Sequence, residues 1–337
     1  MKSQVENMGS ILVCGGAGYI GSHAVKKLVD EGQSVIVVDN LQTGHEDAIA
    51  EGVKFYKGDL RDKSFLRDVF KQETIDAVMH FAADSLVGVS MEKPLQYYNN
   101  NVYGALCLLE VMDEFKIDKF IFSSTAATYG DVDVELISEE TPTNPTNTYG
   151  ETKLAIEKML HWYSQASNLK YKVFRYFNVA GATPSGIIGE DHRPETHLIP
   201  LVLQVALGQR EKIMMFGDDY NTPDGTCIRD YIHVDDLVAA HFLGLKDLQN
   251  GGDSDFYNLG NGNGFSVKEI VEAVREVTNH EIPAEVAPRR AGDPARLVAS
   301  SQKAKEKLGW SPAYTNVKTI IEHAWNWHQS KPQGYDK

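Results

Sequence analysis

The stretch ILVCGGAGYIGSH, residues 11–23, decides the fold class. It opens on an unbroken apolar run, which is how a strand buried on both faces reads. Gly15, Gly18 and Gly21 follow, with Gly16 beside the first, and a helical pattern runs over residues 20–31. Glycines at this spacing let a strand turn sharply into a helix. They also leave the positive helix end open to a pyrophosphate. A tight strand–helix turn uses the same glycines without any ligand, so the flanking sequence has to arbitrate. Asp39 ends the next predicted strand, residues 34–40, and stands 18 positions past Gly21. A carboxylate there accepts from both hydroxyls of a ribose and repels a 2′-phosphate. Together these features point to a dinucleotide, NAD rather than NADP; a cap on the Asp39-Asn40 turn is the alternative reading.

Working outward, the alternation continues. Strands are predicted over residues 53–59, 77–82, 119–125 and 171–178, and helices over 64–73, 94–116 and 148–167. Pro94 opens the long helix. Repeated strand–helix alternation implies right-handed crossovers and an α/β, doubly wound parallel sheet. After residue 180, Gly, Pro, Asp and Thr crowd into 182–197 and 217–226, segments too long for simple connections. Helices are still predicted at 199–207 and 267–277, the latter opened by a Ser266/Glu269 capping box, with a short strand at 255–259. The expected organisation is a dinucleotide-binding domain over 10–180, with returning segments near 230–262 and 316–330. A smaller, loop-rich α+β substrate lobe over 181–229 and 263–315 should lie across the carboxyl edge of the sheet. Residues 1–9 are polar and patternless and read as an extension.

The composition narrows the class further. In 337 residues there are 33 Lys and Arg against 47 Asp and Glu, a net charge of −14, with 42% hydrophobic residues. That is ample for a core and unsuited to general nucleic-acid binding. The apolar runs are far shorter than the roughly 20 residues a bilayer span needs, and no secretory leader opens the chain. Cys14, Cys107 and Cys227 have no metal-motif spacing, so they read as reduced residues of a cytoplasmic protein, and no metal is expected.

Two further constellations carry chemistry. Tyr149 and Lys153, four apart, share a helical face. An ammonium near a phenol favours the phenolate, and an adjacent nicotinamide cation would lower its pKa further, making a general base. Ser123, Ser124 and Thr125 end the fifth strand at the sheet's carboxyl edge, where a hydroxyl can bridge a substrate oxygen to the phenol. A solvated helix face and a turn start are the respective alternatives. Asp59-Leu60, ending the third strand, either borders an adenine or caps the next turn.

The segments GGAGYIGSH (15–23), HFAADSLVGVSMEKPLQYYNNNV (80–102), FIFSSTAATYG (120–130), TYGETK (148–153), FRYFNVAGA (174–182), TPDGTCIRDYIHVDDL (222–237) and APRRAGDPA (287–295) together resemble the extended short-chain dehydrogenase/reductase family, and within it the nucleotide-sugar 4-epimerases. They span nearly the whole chain. The resemblance implies a Rossmann-type fold, tightly held NAD, and a homodimer joined through helices near 106–111 and 154–160. It implies an isomerase of galactose metabolism that interconverts UDP-galactose and UDP-glucose. Hydride would pass from sugar C4 to NAD and return to the opposite face after the 4-keto sugar turns. Tyr149 would be the base, assisted by Thr125 and Lys153.

For the cofactor, the resemblance implies Tyr19 and Ile20 at the pyrophosphate, and Asp39, Asn40, Leu41, Gln42, Thr43 and Gly44 at the adenosine ribose. Asp59 and Leu60 would border the adenine, and Phe81, Ala82, Ala83, Ser85 and Asn100 would line the dinucleotide. Lys153 would bond the nicotinamide ribose and Phe177 pack on the nicotinamide. Asn178, His197, Leu198, Met214, Met215, Phe216, Arg229 and the stretch Arg290–Asp293 would form the UDP-sugar site. Leu297 would set the room at sugar C2; leucine is intermediate in size, so partial acceptance of UDP-N-acetylhexosamines is expected. Thr125 stands where the family usually has Ser, Cys14 where Thr is frequent, and Ser85 where Lys is frequent, which removes one cation near the nicotinamide ribose. A nucleotide-sugar 4,6-dehydratase is the nearest rival. It would need an acid and a base directly after the threonine, where this chain has Ala126 and Ala127. A non-catalytic dinucleotide-binding protein would have no use for Tyr149, Lys153 and Thr125 together.

Overall fold

The computed structural model describes residues 9–290 and 293–335; all of the expected amino-terminal extension but Gly9 lies outside them. The strands are β1 (Ser10–Cys14), β2 (Val35–Asp39), β3 (Lys54–Lys57), β4 (Ile75–His80), β5 (Lys119–Thr125), β6 (Lys170–Tyr176), β7 (Asn178–Ala180), β8 (Ile213–Phe216), β9 (Ile228–Arg229), β10 (Tyr231–His233), β11 (Asp255–Leu259), β12 (Phe265–Ser266), β13 (Ala284–Ala287) and β14 (Arg296–Leu297). The helices are α1 (Tyr19–Asp30), α2 (Lys63–Gln72), α3 (Val87–Glu92), α4 (Pro94–Tyr97), α5 (Gly104–Phe115), α6 (Thr148–Ala166), α7 (Leu198–Ala206), α8 (Val234–Gln249), α9 (Val267–Thr278), α10 (Gln302–Leu308) and α11 (Val317–Ser330).

Seven strands form one parallel sheet in the order β11-β6-β5-β4-β1-β2-β3. The doubly wound α/β reading holds, because strands without alternation need cover on both faces. One face buries Leu66, Leu108 and Ile156 from α2, α5 and α6; the other buries Val25, Leu28 and Leu237 from α1 and α8. The chain leaves β1 towards β2 and β3, then crosses back to β4 on the other side of β1. The carboxyl ends of β1 and β4 thus flank the reversal point, where open sheets of this kind form their binding cleft.

Three expectations need correcting. The helix predicted over 94–116 is broken: after α4, residues Tyr98–Tyr103 wind as a π-helix before α5 resumes. Its wider turn carries a polar run, in which Asn101 is buried and grips the backbone N–H and carbonyl of Asp84 at 2.8 and 3.0 Å. The strand predicted over 171–178 ends at Tyr176, and Asn178–Ala180 pairs instead with β10. The segment 316–330 was expected to return to the dinucleotide-binding domain. Instead α11 buries Ile320, Ile321 and Ala324 in a separate core with α7 and α9. Conversely, Ala304 and Trp310, from the stretch expected in the lobe, pack on the sheet face. Among the described residues no helix is long and apolar enough to cross a membrane.

A buried polar network fastens α6 to the sheet. Glu157 on α6 is 2% exposed, pairs with Arg175 of β6, and accepts from Ser124 Oγ at 2.5 Å. Arg175 Nη1 donates to Tyr129 Oη at 3.1 Å, which donates to Asn258 Oδ1 of β11 at 2.7 Å. Glu157→Ala strips this guanidinium of its counter-charge. It should cost about 3–5 kcal/mol, read as a lowered denaturant midpoint; an unchanged midpoint would show that the pair carries no such weight.

Candidate active site

The glycine turn is built by close backbone approach. Gly15 has φ +81°, and a Cβ on it would lie 2.5 Å from Ala82 N, on the chain leaving β4. A Cβ on Gly21 would lie 2.0 Å from Gly15 O. Gly18, the N-cap of α1, is different: within 4 Å its Cβ would meet only Gly15 O, at 3.5 Å, and it lines the cleft. The turn therefore presents an unobstructed helix end to whatever lies in the cleft.

Asp39 is buried at the end of β2. It accepts from Ala17 N at 3.1 Å and from Leu41 N at 2.8 Å, while burial raises its pKa. One carboxylate thus fixes the glycine loop and caps the following turn, with Leu41 at φ +59°. Both readings of Asp39 are compatible, because each oxygen keeps a lone pair directed elsewhere. Asp59 turns out to be locked: Arg61 Nε and Nη2 donate to it at 2.8 and 2.7 Å, holding its carboxyl well below the usual range. It also accepts from Asn40 Nδ2 at 3.2 Å, tying two sides of the cleft together.

One continuous cleft runs from this end to α6. Its walls include Gly15, Gly18, Tyr19, Ile20, Gly21, Asp39, Asn40, Gln42, Thr43, Gly44, Asp59, Leu60, Phe81, Ala82, Ala83, Ser85, Asn100, Thr125, Tyr149, Lys153, Phe177, Asn178, His197 and Leu198. Every cofactor-side residue expected from the sequence is there except Leu41. A long ligand with a charged middle fits this shape: a side-chain-free helix end at the turn, a carboxylate at one end and an apolar wall with titratable groups at the other. That is the donor set a dinucleotide needs.

At the α6 end, Asn147 caps the helix by accepting from Gly150 N at 2.8 Å, which sets Tyr149 and Lys153 on the cleft side. Lys153 is 2% exposed and its Nζ donates to Ser123 O at 2.8 Å. Burial brings its pKa down to about 7. Burial also pushes the Tyr149 phenol up to about 12, against the pull of its hydrogen bond with Thr125. This corrects the expectation of a lowered phenol. Lys153 Nζ sits 5.9 Å from the Tyr149 ring centroid and is spent on a carbonyl, so desolvation wins.

The expected sugar-nucleotide residues divide. Asn178, His197 and Leu198 line the cleft, whereas Met214, Met215, Phe216, Arg229, Arg290, Asp293 and Leu297 do not. They gather on the lobe instead. Arg229 Nη2 pairs with Asp293 at 2.5 Å, Arg290 lies 4.0 Å over the Phe216 ring, Met215 is buried in β8, and Leu297 is the register partner of Arg229. Arg229 was expected to fork onto phosphate, and here its charge is held by Asp293. Residues 291 and 292, inside the expected Arg290–Asp293 stretch, lie outside the described residues.

Several cleft residues escaped the sequence reading: Asp84, Tyr176, His192 and Tyr231. Tyr176 Oη is in short contact with Ser123 Oγ, next to Lys153. The helices expected to supply a dimer surface are also largely inward-facing. Leu108, Leu109, Val111, Ile156 and Leu160 are buried in the core on one sheet face and Leu154 is also buried, leaving Leu106 and Trp162 exposed.

Comparison with known proteins agrees with this geometry. The pattern of the NAD dependent epimerase/dehydratase family matches residues 11–260. A UDP-glucose 4-epimerase of Halalkalibacterium halodurans is 60% identical over 97% of both chains. A crystal structure of a UDP-glucose 4-epimerase superposes with a TM-score of 0.96 at 91% identity, covering 97% of this chain and 100% of that one. The Bifidobacterium longum UDP-glucose 4-epimerase, solved with NAD+ and UDP, superposes at 0.91 with 39% identity, over 97% of this chain and 100% of that one. With its cleft at the reversal point of a doubly wound sheet and likeness along nearly its whole length, the chain belongs to the NAD dependent epimerase/dehydratase family, in the branch of the UDP-glucose 4-epimerases.

Proposed function

We propose that this chain interconverts UDP-galactose and UDP-glucose by inverting C4 of the hexose. The observation that carries the reading is one cleft with Gly18 and Asp39 at one end and Tyr149, Lys153 and Thr125 at the other. Ala126 and Ala127, which follow Thr125, offer no group to move a proton, so dehydration finds no acid or base there.

The glycine turn, Asp39, the loop to Gly44, Asp59-Leu60, Phe81–Ser85, Asn100 and Phe177 would hold NAD, which supplies a reversible hydride acceptor. Tyr149 Oη takes the proton of the sugar O4 and returns it once the C4 hydrogen has been restored on the other face. Thr125 Oγ1 orients that phenol. Lys153, fixed by the Ser123 carbonyl, places a titratable ammonium beside the same site, with its proton poised near neutrality. A phenol held near 12 is a poor base on its own. The cations that gather around it in the loaded site are therefore part of its activation. Asn178, His197 and Leu198, with Met214–Phe216, Arg229, Arg290, Asp293 and Leu297 of the lobe, are proposed to grip the UDP-sugar. Docking there would require Arg229 to exchange Asp293 for phosphate.

Incubating the purified protein with UDP-galactose and no added NAD should yield UDP-glucose. In deuterated water the product should carry no deuterium at C4; solvent deuterium at that carbon would overturn the reading. Leu297 is half-buried, and its intermediate size supports partial turnover of UDP-N-acetylglucosamine, measured in the same assay; no detectable N-acetyl turnover removes that part alone. The reading also places the enzyme in the cytoplasm, supported by three buried free cysteines. It carries a homodimer too, supported by exposed Leu95, Tyr98, Tyr103, Leu106 and Trp162. Sedimentation equilibrium should give twice the chain mass, and a monomer at micromolar concentration would remove the dimer.

A further inference from the structure

Between β7 and α7 the loop carries four clustered side chains, of which the proposed reaction uses only His197. Glu190, His192, Glu195 and His197 each offer one ligand atom, and these atoms lie within 4.8 Å of one another. The Nδ1 atoms of both histidines are aimed at Glu190 Oε1, that of His192 at 3.0 Å and that of His197 closer. Glu195 faces the same centre, 3.8 Å from each Nδ1. Both carboxylates are buried, their side chains 4% and 6% exposed. No Lys or Arg among the described residues pairs with either; Arg193, between them, goes to Asp191.

This arrangement of ligand atoms suits a cation. Two buried carboxylates without a guanidinium or ammonium are costly. Protonating both imidazoles would also balance them, but it would set two cations edge to face, with ring centroids 5.2 Å apart. A divalent ion satisfies all four groups at once. Two imidazole nitrogens and two carboxylates are the ligand set of a transition-metal dication, and imidazole disfavours magnesium or calcium. Drawing the four donors to about 2.0–2.2 Å from one centre asks for shifts of about 1 Å in a loop.

We propose that Glu190, His192, Glu195 and His197 bind one zinc-class dication that pins this loop against the cleft. The sequence reading expected no metal, because it looked at cysteine spacing. Tyr19 Oη donates to Gly181 O at 2.7 Å where the loop begins, and Trp327 Nε1 donates to Glu190 O at 3.0 Å in its middle. Also in its middle, Tyr335 N donates to Asp191 Oδ2 at 3.0 Å and Arg193 Nη2 donates to Gln333 O and Tyr335 O at 3.1 Å, while the four clustered side chains face one another. His192 lines the cleft and meets the edge of Tyr19 at 6.2 Å, so a bound ion would stiffen the wall beside the glycine turn.

The test uses untagged protein carrying its NAD, stripped of metal with a chelator and titrated with Co2+ and Zn2+. One equivalent per chain should bind with a dissociation constant below about 1 µM, the Co2+ form showing the visible bands of a four-coordinate site. His192→Ala and the conservative Glu195→Gln should each weaken binding by more than about 100-fold while circular dichroism stays unchanged. If the wild-type protein takes up neither ion stoichiometrically, or if both variants bind as it does, the proposal fails. That failure would leave the epimerase reading standing, since the latter is tested by product and isotope.

Discussion

Tyr149→Phe should keep the fold and the bound NAD while turnover of UDP-galactose falls by roughly 10²–10⁴-fold, the span expected when a positioned proton-transfer group is removed. The change deletes one oxygen from a half-buried ring and leaves the neighbouring geometry alone. The Tyr149 backbone N–H still donates to Ser90 Oγ at 3.1 Å, and Lys153 still donates to Ser123 O at 2.8 Å. Absorbance of the retained nicotinamide and the initial rate in a coupled assay read the two halves separately. Turnover within a few-fold of wild type would mean that another group takes the O4 proton; Tyr176, also on the cleft wall, would then be the next candidate.

Gly21→Ala and Gly18→Ala should fail in different ways. A Cβ on Gly21 lies 2.0 Å from Gly15 O and 2.8 Å from Gly15 C, both backbone, so the whole turn has to move. Overpacking of that kind costs about 1–3 kcal/mol or more, and it distorts the ligand end of the cleft at the same time. We expect a lower thermal midpoint and NAD occupancy below about a tenth of wild type. Gly18 has no contact shorter than 3.5 Å to strain, so Gly18→Ala should keep its midpoint and lose cofactor, because the methyl enters the cleft. Equal stability loss in both would show that the spacing serves packing alone.

Much of the site was legible because it rests on local rules. The glycine turn and Asp39 announce themselves through a strand-to-helix transition. Tyr149 and Lys153 do so through helical spacing, and Thr125 through its place at a strand end. What stayed hidden depended on partners far away in the chain. Lys153 was expected to lower the Tyr149 pKa, yet its ammonium is drawn to Ser123 O and the phenol rises to about 12. Arg229 reads as a free cation until the fold brings Asp293 against it. The π-helix within the 94–116 run follows from no helical period; it accompanies the grip of Asn101 on the Asp84 backbone. Glu190 and His197 are seven residues apart with a Pro between, a spacing without helical or strand meaning, and only the folded loop makes them neighbours.

By itself, then, the chain's amino-acid order determined a doubly wound parallel sheet, a carboxylate at the end of its second strand beside the glycine turn, and a phenol and an amine one helical turn apart. Apolar periodicity, glycine geometry and i,i+4 spacing act over a few residues and need no distant partner. Tertiary structure alone decided which charges are free, which are spent and how far each proton is shifted. Desolvation and ion pairing depend on what the rest of the molecule packs against a group, and that information is spread over the whole chain.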